Sequence, residues 1–521
     1  MSPCRLLLAV AFVLGASPWA AAADLTGIVF VDANGNGVHD RGELGRAGVA
    51  VTNGKQVART NVYGRYRLPE HPGYITVTCP DQFDCPLRHR REPGDFPLEP
   101  APNEREFFFI HISDVHAFED ISDFVGFSMP IPGWLPGGIR SRLALGGLSR
   151  MLGVDDAAVA ARLREALAPY REVEILSDAA TVGAYFDEVF EPGSQLGRVA
   201  DAARDAMAEI AALAPAFVVS TGDLVLEGNH GSPEATSAWF RFYREITEAT
   251  GIPFYNTIGN NEIAGNQNRA FLPEDPRYGK HFFHSTYGPT YYSFDRGNFH
   301  FVALDTHRPE PAFLSPERWT YAKMPAEVRE WLDADLHAHQ GMVHVVLNHE
   351  PFHSSADWPF EYQPADDGGT FERHGVRYAL AGHIHFNGFE RRNGTTHITT
   401  GALSGSRWVL PAELHERGYR LFYARDGHLY HAWKRTGEPV VAFLGAQQPE
   451  LPEGVFIGVA ADRYGPFARV DVTVDGAPAP LERWGDYFFR ISLPYPARTL
   501  VITATSVSGE TRTAELSREP E

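Results

Sequence analysis

The chain has 521 residues, of which 44% are hydrophobic and 21% are charged, and its formal net charge is −20 at pH 7. This length exceeds what one hydrophobic core serves, so several domains are expected, and the composition excludes an intrinsically disordered protein. The acidic total argues against a general nucleic-acid scaffold, because phosphate backbones are bound by surfaces rich in Lys and Arg.

Residues 1–23 have the pattern of a secretory signal peptide. Arg5 precedes an apolar stretch at 6–14, and small residues at 21–23 form a cleavage site before Asp24. A membrane anchor is the alternative, but the apolar stretch is shorter than the ~20 residues that a span needs. We therefore expect an exported bacterial protein, periplasmic or extracellular. Cys79 and Cys85 would remain after cleavage, either as a local disulfide or as two thiols.

Residues 24–91 are predicted to form a small β-sandwich module, because short strand-like runs alternate with Gly, Asn and Pro. Within it, the stretch 32–43 fits a twelve-position calcium loop with oxygen donors, a central Gly and a final Glu. Its flanks are strands rather than helices, so it resembles the calcium-bearing β-sandwich repeats of bacterial surface proteins. A solvated Asn/Gly turn is the alternative. The predicted calcium ligands are Asp32, Asn34, Asn36, Val38, Asp40 and Glu43.

Residues 92–103 are Pro-rich and are predicted to be a stiff linker. From 104 to 434, strand-like runs alternate with helical stripes at 196–213, 235–249 and 325–339, which indicates an α/β fold with both sheet faces covered.

The stretch of about 120–195 inside this region is long and contains an apolar, Gly/Pro-rich part at 125–139. We interpret it as an insertion that caps or lines a site. A peripheral subdomain and a lipid-contacting lid are the alternatives. Residues 435–521 return to short strands and turns, which predicts a carboxy-terminal β-sandwich.

Four apolar runs inside the α/β region stop abruptly on Asp or His. The run 107–116 ends in Asp114 and His116, and the runs 217–223, 343–349 and 378–385 end in the same manner. Parallel strands present their carboxyl ends at one edge of a sheet, so these side chains are expected to converge. Two divalent metals ~3.5–4 Å apart need a shared carboxylate and several nitrogen and oxygen donors. The predicted ligands are Asp114, His116, Asp223, Asn260, His349, His383 and His385.

The order of these segments resembles the calcineurin-like metallophosphoesterase family, in its exported bacterial form with β modules at both ends. The matching segments are Asp114-Val-His116, Gly222-Asp223, Gly259-Asn260, the lone His349 and Gly382-His383-Ile-His385. The resemblance spans residues 107–402 and implies a β-sandwich flanked by helices, with small all-β domains at both ends.

The resemblance also implies a set of roles. Asp114, His116 and His385 would bind one metal. Asn260, His349 and His383 would bind the other, and Asp223 would bridge the two. The metals would be Mn, Fe or Zn, and a hydroxide shared between them would attack the phosphorus of a phosphomonoester or phosphodiester. The implied catalytic residues are Asp223, Asn260 and Asn261.

Asn261 departs from the family, which usually has a His after the Gly-Asn pair. An amide cannot deliver a proton as an imidazolium does, and general acid catalysis contributes roughly 10²–10⁴-fold. Another group would then supply the proton, or the leaving group would need little help. The candidate donors are His230, His281, His284, His307 and His353.

A second hypothesis is a calcium-stabilised envelope binding protein with a degenerate phosphoesterase scaffold, suggested by Asn261 and the two β modules. For the enzyme, we expect a small phosphate-ester substrate and no long nucleic acid, with membrane or lipid contact as a weaker expectation. Substrate, metal identity and oligomeric state are not readable from the sequence.

Overall fold

The computed structural model describes residues 24–102, 104–117, 195–226, 228–229, 231–266, 271–307, 324–353, 369–404, 417–444, 451–493 and 498–517. The signal-peptide prediction for 1–23 and nearly all of the predicted insertion at about 120–195, including its apolar part at 125–139, lie outside these residues.

An amino-terminal module is built from eight short strands in two sheets. The strands are β1 (Asp24–Val31), β2 (Ala50–Thr52), β3 (Val57–Arg59), β4 (Arg65–Pro69), β5 (Ile75–Val77), β6 (Phe83–Asp84), β7 (His89–Arg90) and β8 (Phe96–Pro100). The strand orders are β4-β1-β8-β6 and β3-β2-β5-β7. Cys79 and Cys85 form a disulfide with Cα atoms 5.8 Å apart.

The stretch 92–103, predicted to be a linker, instead supplies strand β8 to this module. Residues 96–98 pair in parallel with residues 29–31 of β1, and Phe96 and Leu98 are fully buried. Pro97 has no N–H to donate, but β6 pairs with β8 only at Glu99 and Pro100. The burial of the Phe96 and Leu98 side chains therefore stabilises a strand here despite the Pro-rich composition.

The centre of the molecule is a sandwich of two mixed sheets with both parallel and antiparallel pairings, called here the central sandwich. One sheet has the order β11-β10-β9-β18-β19 and the other β12-β13-β14-β15-β17-β16. Their strands are β9 (Phe107–Ile112), β10 (Val218–Thr221), β11 (Phe254–Thr257), β12 (Tyr292–Arg296), β13 (Phe299–Ala303), β14 (Val343–Leu347), β15 (Tyr378–Ala381), β16 (Gly388–Arg392), β17 (Thr395–Thr399), β18 (Gly418–Arg425) and β19 (His428–Arg435).

An aromatic core fills the space between the two sheets. Phe109 of β9 stacks on Phe217 and on Phe422 of β18, with ring centroids 5.0 and 4.8 Å apart, and meets Phe301 of the facing sheet edge-on. Such offset and edge-on pairs add to the stabilisation from buried apolar area. This core fixes the two sheets face to face, so that the carboxyl ends of β9, β10, β14 and β15 meet at one edge.

Helices cover the outer faces of the central sandwich. They are α1 (Gln195–Leu213), α2 (Pro233–Glu248), α3 (His281–Tyr287), α4 (Ala326–Ala338) and α5 (Thr370–His374), with a 3₁₀ turn at Asn260–Glu262. The hydroxyl of Ser232 caps α2 by accepting from the Ala235 N–H at 3.2 Å. The three predicted helices and the α/β fold are confirmed. No helix within the described ranges has the length and apolarity to cross a membrane.

The carboxy-terminal strands form a further pair of four-stranded sheets, as the sequence predicts. The strands are β20 (Val440–Phe443), β21 (Val455–Ala461), β22 (Arg469–Val474), β23 (Ala477–Ala479), β24 (Glu482–Trp484), β25 (Phe488–Ser492), β26 (Thr499–Thr505) and β27 (Thr511–Ser517). Arg463, in the turn after β21, contacts α1 through the buried carboxylate of Glu209 at 3.1 Å, and the same carboxylate binds Lys434 of β19 at 3.0 Å.

Candidate metal centre

Six of the predicted ligands lie in two groups at the shared edge of the central sandwich. The first group is Asp114, His116 and His385, and the second is Asp223, His349 and His383. Within each group, one ligand atom of every residue lies within 4.8 Å of the others. The residues follow strands β9, β10, β14 and β15, so the parallel register of the strands brings them together.

The first group has the atomic arrangement of an ion-binding site. The Nε2 atoms of His116 and His385 are 3.1 Å apart, and Asp114 Oδ1 lies 3.2 Å from the Nε2 of His385. Asp114 Oδ1 is buried and has no hydrogen-bond partner among the described residues. A buried, unsatisfied carboxylate oxygen is costly unless something binds it. A divalent cation fits this donor set.

The second group is held in the same way around Asp223. Its Oδ1 lies 3.2 Å from His349 Nε2, and that nitrogen is 3.1 Å from both Asn260 Oδ1 and His383 Nδ1. The Nδ1–H of His349 donates to the Thr221 carbonyl at 2.7 Å, which fixes the ring and leaves Nε2 facing the other donors.

The two groups share contacts. The backbone N–H of His383, from the second group, donates to Asp114 Oδ2 at 2.9 Å, in the first group. Gly382 makes this approach possible, because a Cβ there would lie 1.6 Å from Ser113 Oγ and 2.5 Å from Asp114 Oδ2. The groups are therefore parts of one compact centre.

Five of these ligands have left-handed backbone conformations. The φ angles are +51° at Asp114, +49° at His116, +50° at Asp223, +69° at His383 and +59° at His385. Such angles are uncommon for residues other than glycine, and where they persist the surrounding structure holds them. Each turns the chain sharply after a strand and directs the side chain back toward the centre.

The electrostatics of the centre keep both carboxylates ionised. Burial alone would raise the pKa of Asp114, but the neighbouring His385 lowers it to about 2. Burial opposes ionisation of Asp223 too, and the charge and hydrogen bond of His349 hold the pKa of Asp223 well below its usual range. Anionic oxygens at both positions are what a divalent cation requires.

Asn261 lies inside the centre, and its polar atoms contact predicted ligands of both groups. Its side-chain NH₂ lies 3.2 Å from His116 Nδ1 and donates to the Leu226 carbonyl at 2.8 Å. Its Oδ1 accepts from the Asn260 amide at 2.8 Å, and its backbone N–H donates to Asp223 Oδ1 at 3.0 Å. With 2% of its surface exposed, Asn261 connects the two groups.

Four of the candidate proton donors are described, and they occupy different places. His307 has its ring centroid 6.1 Å from that of His349 and its Nε2 2.5 Å from Glu350 Oε1. His284 stacks on Tyr74 of the amino-terminal module, and His353 meets His397 edge-on. His281 is exposed at the start of α3, and His230 lies outside the described residues.

Glu262 is a residue of the centre to which the sequence pattern assigns no role. Its carboxylate accepts three backbone N–H groups, from Asp223 at 3.0 Å, Val225 at 3.1 Å and Gly259 at 2.7 Å. Glu262 thereby ties the loop of one ligand to the loop of another. Its place directly after the Gly-Asn-Asn segment was the available signal.

A further buried cluster with the composition of a metal site, Asp295, His300 and His339, lies beside helix α4. The two ring nitrogens of His300 are 2.7 Å from Asp295 Oδ1 and 2.9 Å from Asp335 Oδ2. The rings of His300 and His339 stack 3.8 Å apart at 16°. The nitrogen lone pairs of an imidazole lie in the plane of its ring. Because these two rings lie in nearly parallel planes, they cannot both direct a lone pair at one ion.

The predicted calcium ligands lie together in an exposed loop after β1. Asp32 accepts from the N–H groups of Gly35 and Gly37, and Glu43 accepts from those of Ala33 and Asp40. The side-chain amides of Asn34 and Asn36 donate to Asp40 Oδ2 at 2.9 and 2.7 Å. Val38 is part of the same loop and is 59% exposed.

Comparison with known proteins identifies a family. Residues 109–387, more than half of the chain, match the family model described as calcineurin-like phosphoesterase. A search of curated proteins finds no match.

Several solved structures are similar to the chain at low sequence identity. The GAP50 anchor of the inner membrane complex of Plasmodium is 14% identical, with a TM-score of 0.30 and coverage of 63% of this chain and 84% of that one. The phosphopantetheinyl hydrolase of Mycobacterium tuberculosis is also 14% identical, with a TM-score of 0.24 and coverage of 37% and 83%.

Proposed function

The chain belongs to the calcineurin-like phosphoesterase family, and from this premise we propose that it is a binuclear-metal-dependent hydrolase of a small phosphomonoester or phosphodiester. The observation that carries the proposal is the pair of adjoining ligand groups, one of which contains the unsatisfied Asp114 Oδ1. Asp114, His116 and His385 would hold one divalent metal. Asn260, His349 and His383 would hold the other, with Asp223 shared between them.

When bound, the two metals would draw in the phosphate oxygens and lower the pKa of the attacking water. The chain's own residues supply position and charge. Asp114 and Asp223 offset the metal charge, and the backbone N–H groups of His383 and Asn261 fix their carboxylates. Asn261 provides no acidic proton, so we expect a preference for esters with good leaving groups.

Hydrolysis of aryl phosphate mono- and diesters by the full chain loaded with Mn²⁺, Zn²⁺ or Fe²⁺ tests the proposal. Asp223→Asn should lower the rate by more than the ~10–100-fold that loss of an outer partner costs. Asp333→Asn is the matched control, because Asp333 lies on α4 at the surface, where it pairs with Arg373. Equal activities of the wild type and Asp223→Asn would refute the proposal.

We also propose that the loop of residues 32–43 binds Ca²⁺ as a structural ion. Three carboxylates, those of Asp32, Asp40 and Glu43, are gathered within one short turn, and hard oxygen donors are what Ca²⁺ prefers. Calcium should raise the unfolding temperature of the wild type and leave that of an Asp32→Asn, Glu43→Gln double variant unchanged. Calcium bound without any transition metal would favour the binding-protein hypothesis over the enzyme.

We further propose that the protein is exported and cleaved before Asp24. The composition of residues 1–23 and the disulfide between Cys79 and Cys85 support this location, because disulfides persist in oxidising compartments. Amino-terminal sequencing of the protein recovered outside the cytoplasm should begin at Asp24. A protein that retains Met1 and stays in the cytoplasm would contradict export.

A further inference from the structure

A line of buried hydrogen bonds runs behind Asp114, on the side away from the metal-facing oxygen. Arg420 Nε donates to Thr400 Oγ1 at 3.4 Å, and Thr400 Oγ1 is 2.8 Å from His111 Nδ1. His111 Nε2 is 2.8 Å from Thr221 Oγ1, which donates to Ser113 Oγ at 3.0 Å. Ser113 donates to Asp114 Oδ2 at 2.7 Å. Arg420 is 4% exposed, and the other members are fully buried.

The two ends of this line fix the direction of every bond in it. A guanidinium only donates and a carboxylate only accepts, while each hydroxyl has a single proton to give. Thr400 must therefore donate to His111 Nδ1, and His111 must donate from Nε2. Burial lowers the pKa of His111 to about 3, so its ring is neutral and has one nitrogen free to accept. All five bonds point from Arg420 toward Asp114.

Arg420 is a buried cation that pairs with no carboxylate among the described residues. Its remaining contacts are neutral acceptors: His431 Nδ1 at 3.0 Å, Asn387 Oδ1 at 2.8 Å and the Thr399 carbonyl at 3.4 Å. An unpaired buried charge is costly. The aligned dipoles, which end on the negative charge of Asp114, offset part of that cost.

We propose that Arg420, Thr400, His111, Thr221 and Ser113 are positioning residues that hold the Asp114 carboxylate with Oδ1 directed at its metal. The inference rests on the metal centre of the proposed function. The Ser113 hydroxyl and the His383 backbone N–H both donate to Oδ2 of Asp114, and this leaves Oδ1 for the ion. No side chain of the line would touch a metal or a substrate, and these side chains act on the centre through Asp114. The Thr221 carbonyl also accepts from His349 Nδ1, but this is a backbone contact that a Thr221→Val variant keeps.

Metal titration of the metal-free full chain, by calorimetry with Mn²⁺ or Zn²⁺, tests the proposal. Thr400→Val and Thr221→Val remove a hydroxyl at nearly constant shape and should weaken one of the two metal sites by roughly 10-fold or more. Thr400→Ser keeps the hydroxyl and should retain the wild-type affinity. Thr257→Val is the matched control, because the buried Thr257 hydroxyl on β11 has no hydrogen-bond partner among the described residues.

Two variants test the role of Arg420, the cation at the far end of the line. Arg420→Met should weaken the same metal site, whereas Arg425→Met should not, since Arg425 of the same strand pairs with Glu106. The ¹⁵N shifts of His111 in the wild type should place its proton on Nε2. Wild-type affinity in both valine variants, or a proton on Nδ1, would overturn the proposal. A chain that binds two metals but hydrolyses no phosphoester would refute the function and leave this proposal standing.

Discussion

Two buried clusters of Asp and His in the central sandwich differ in the direction of their ring nitrogens. Around Asp114, two imidazole nitrogens face each other at 3.1 Å, and a carboxylate oxygen beside them has no hydrogen-bond partner among the described residues. Around His300, a carboxylate lies at each ring nitrogen and a second imidazole stacks on the ring face. Residue types alone therefore do not define a metal site. A metal site also needs donor atoms whose lone pairs are not used in hydrogen bonds and are directed at one point.

The largest expected effect comes from Asp335, one of the two carboxylates at His300. Asp335→Asn should destabilise the protein by ~3 kcal/mol, because a buried charge loses a partner. Denaturant unfolding of the metal-free protein measures this loss. Metal analysis of the same variant should still find two transition metals per chain. The loss of one metal would show that the His300 cluster is a metal site. It would contradict the distinction drawn between the two clusters.

The His300 cluster should also make stability depend on pH. Burial would lower the pKa of His300, but Asp335 and Asp295 raise it to about 9, above the ~6.5 of an unfolded chain. The stabilisation is fully present below pH ~6.5 and is lost as the pH rises through 9, by up to about 1.4 kcal/mol per pH unit.

Unfolding free energies of the metal-free wild type and of His300→Gln, measured from pH 6 to pH 10, check this expectation. His339 stacks on His300 and His344 meets it edge-on. Burial lowers the pKa of both, so neither can account for a loss of stability as the pH rises. Parallel curves for the two proteins would mean that His300 is not the titrating group.

The smallest expected effect is at Asn261, which contacts predicted ligands of both groups in the metal centre. Asn261→Ala should weaken metal binding by roughly 10-fold, as the loss of an outer partner of a ligand does. Calorimetric metal titration measures the change. Asn53→Ala, at an equally buried asparagine of the amino-terminal module whose side chain donates to the Pro69 carbonyl, should leave metal affinity unchanged. If Asn261→Ala also bound metal with wild-type affinity, the contacts of Asn261 with the two groups would make no contribution to metal binding.

The strands of the centre and the convergence of the Asp and His side chains that follow them were readable, because an apolar run that stops on Asp or His is typical of a buried parallel strand that ends at a site. Phe107–Ile112 and Val343–Leu347 follow the predicted runs closely. The strand at 96–100 was not readable, because its pairing partner lies about seventy residues earlier and its prolines suggest a linker. Long-range parallel pairing leaves no local signal.

The chain of hydrogen bonds behind Asp114 was equally hidden from the sequence. His111 sits inside an apolar strand and reads as a core residue, and Thr400 and Arg420 lie about three hundred residues away. Their contact depends on the antiparallel pairing of β18 with β9, in which Arg420 is opposite His111. Only the three-dimensional register brings these polar groups together.

The left-handed backbone at five of the ligands restricts how this centre can be altered. Forcing a residue other than Gly, Asn or Asp into that conformation costs roughly 1–2 kcal/mol, so alanine or valine at Asp114 or Asp223 would strain the chain as well as remove a ligand. Asparagine tolerates the conformation and keeps the shape of aspartate. Asparagine variants therefore isolate ligand chemistry from backbone strain. A lineage that abandoned metal binding would be expected to accumulate asparagine or glycine at these positions before any branched residue.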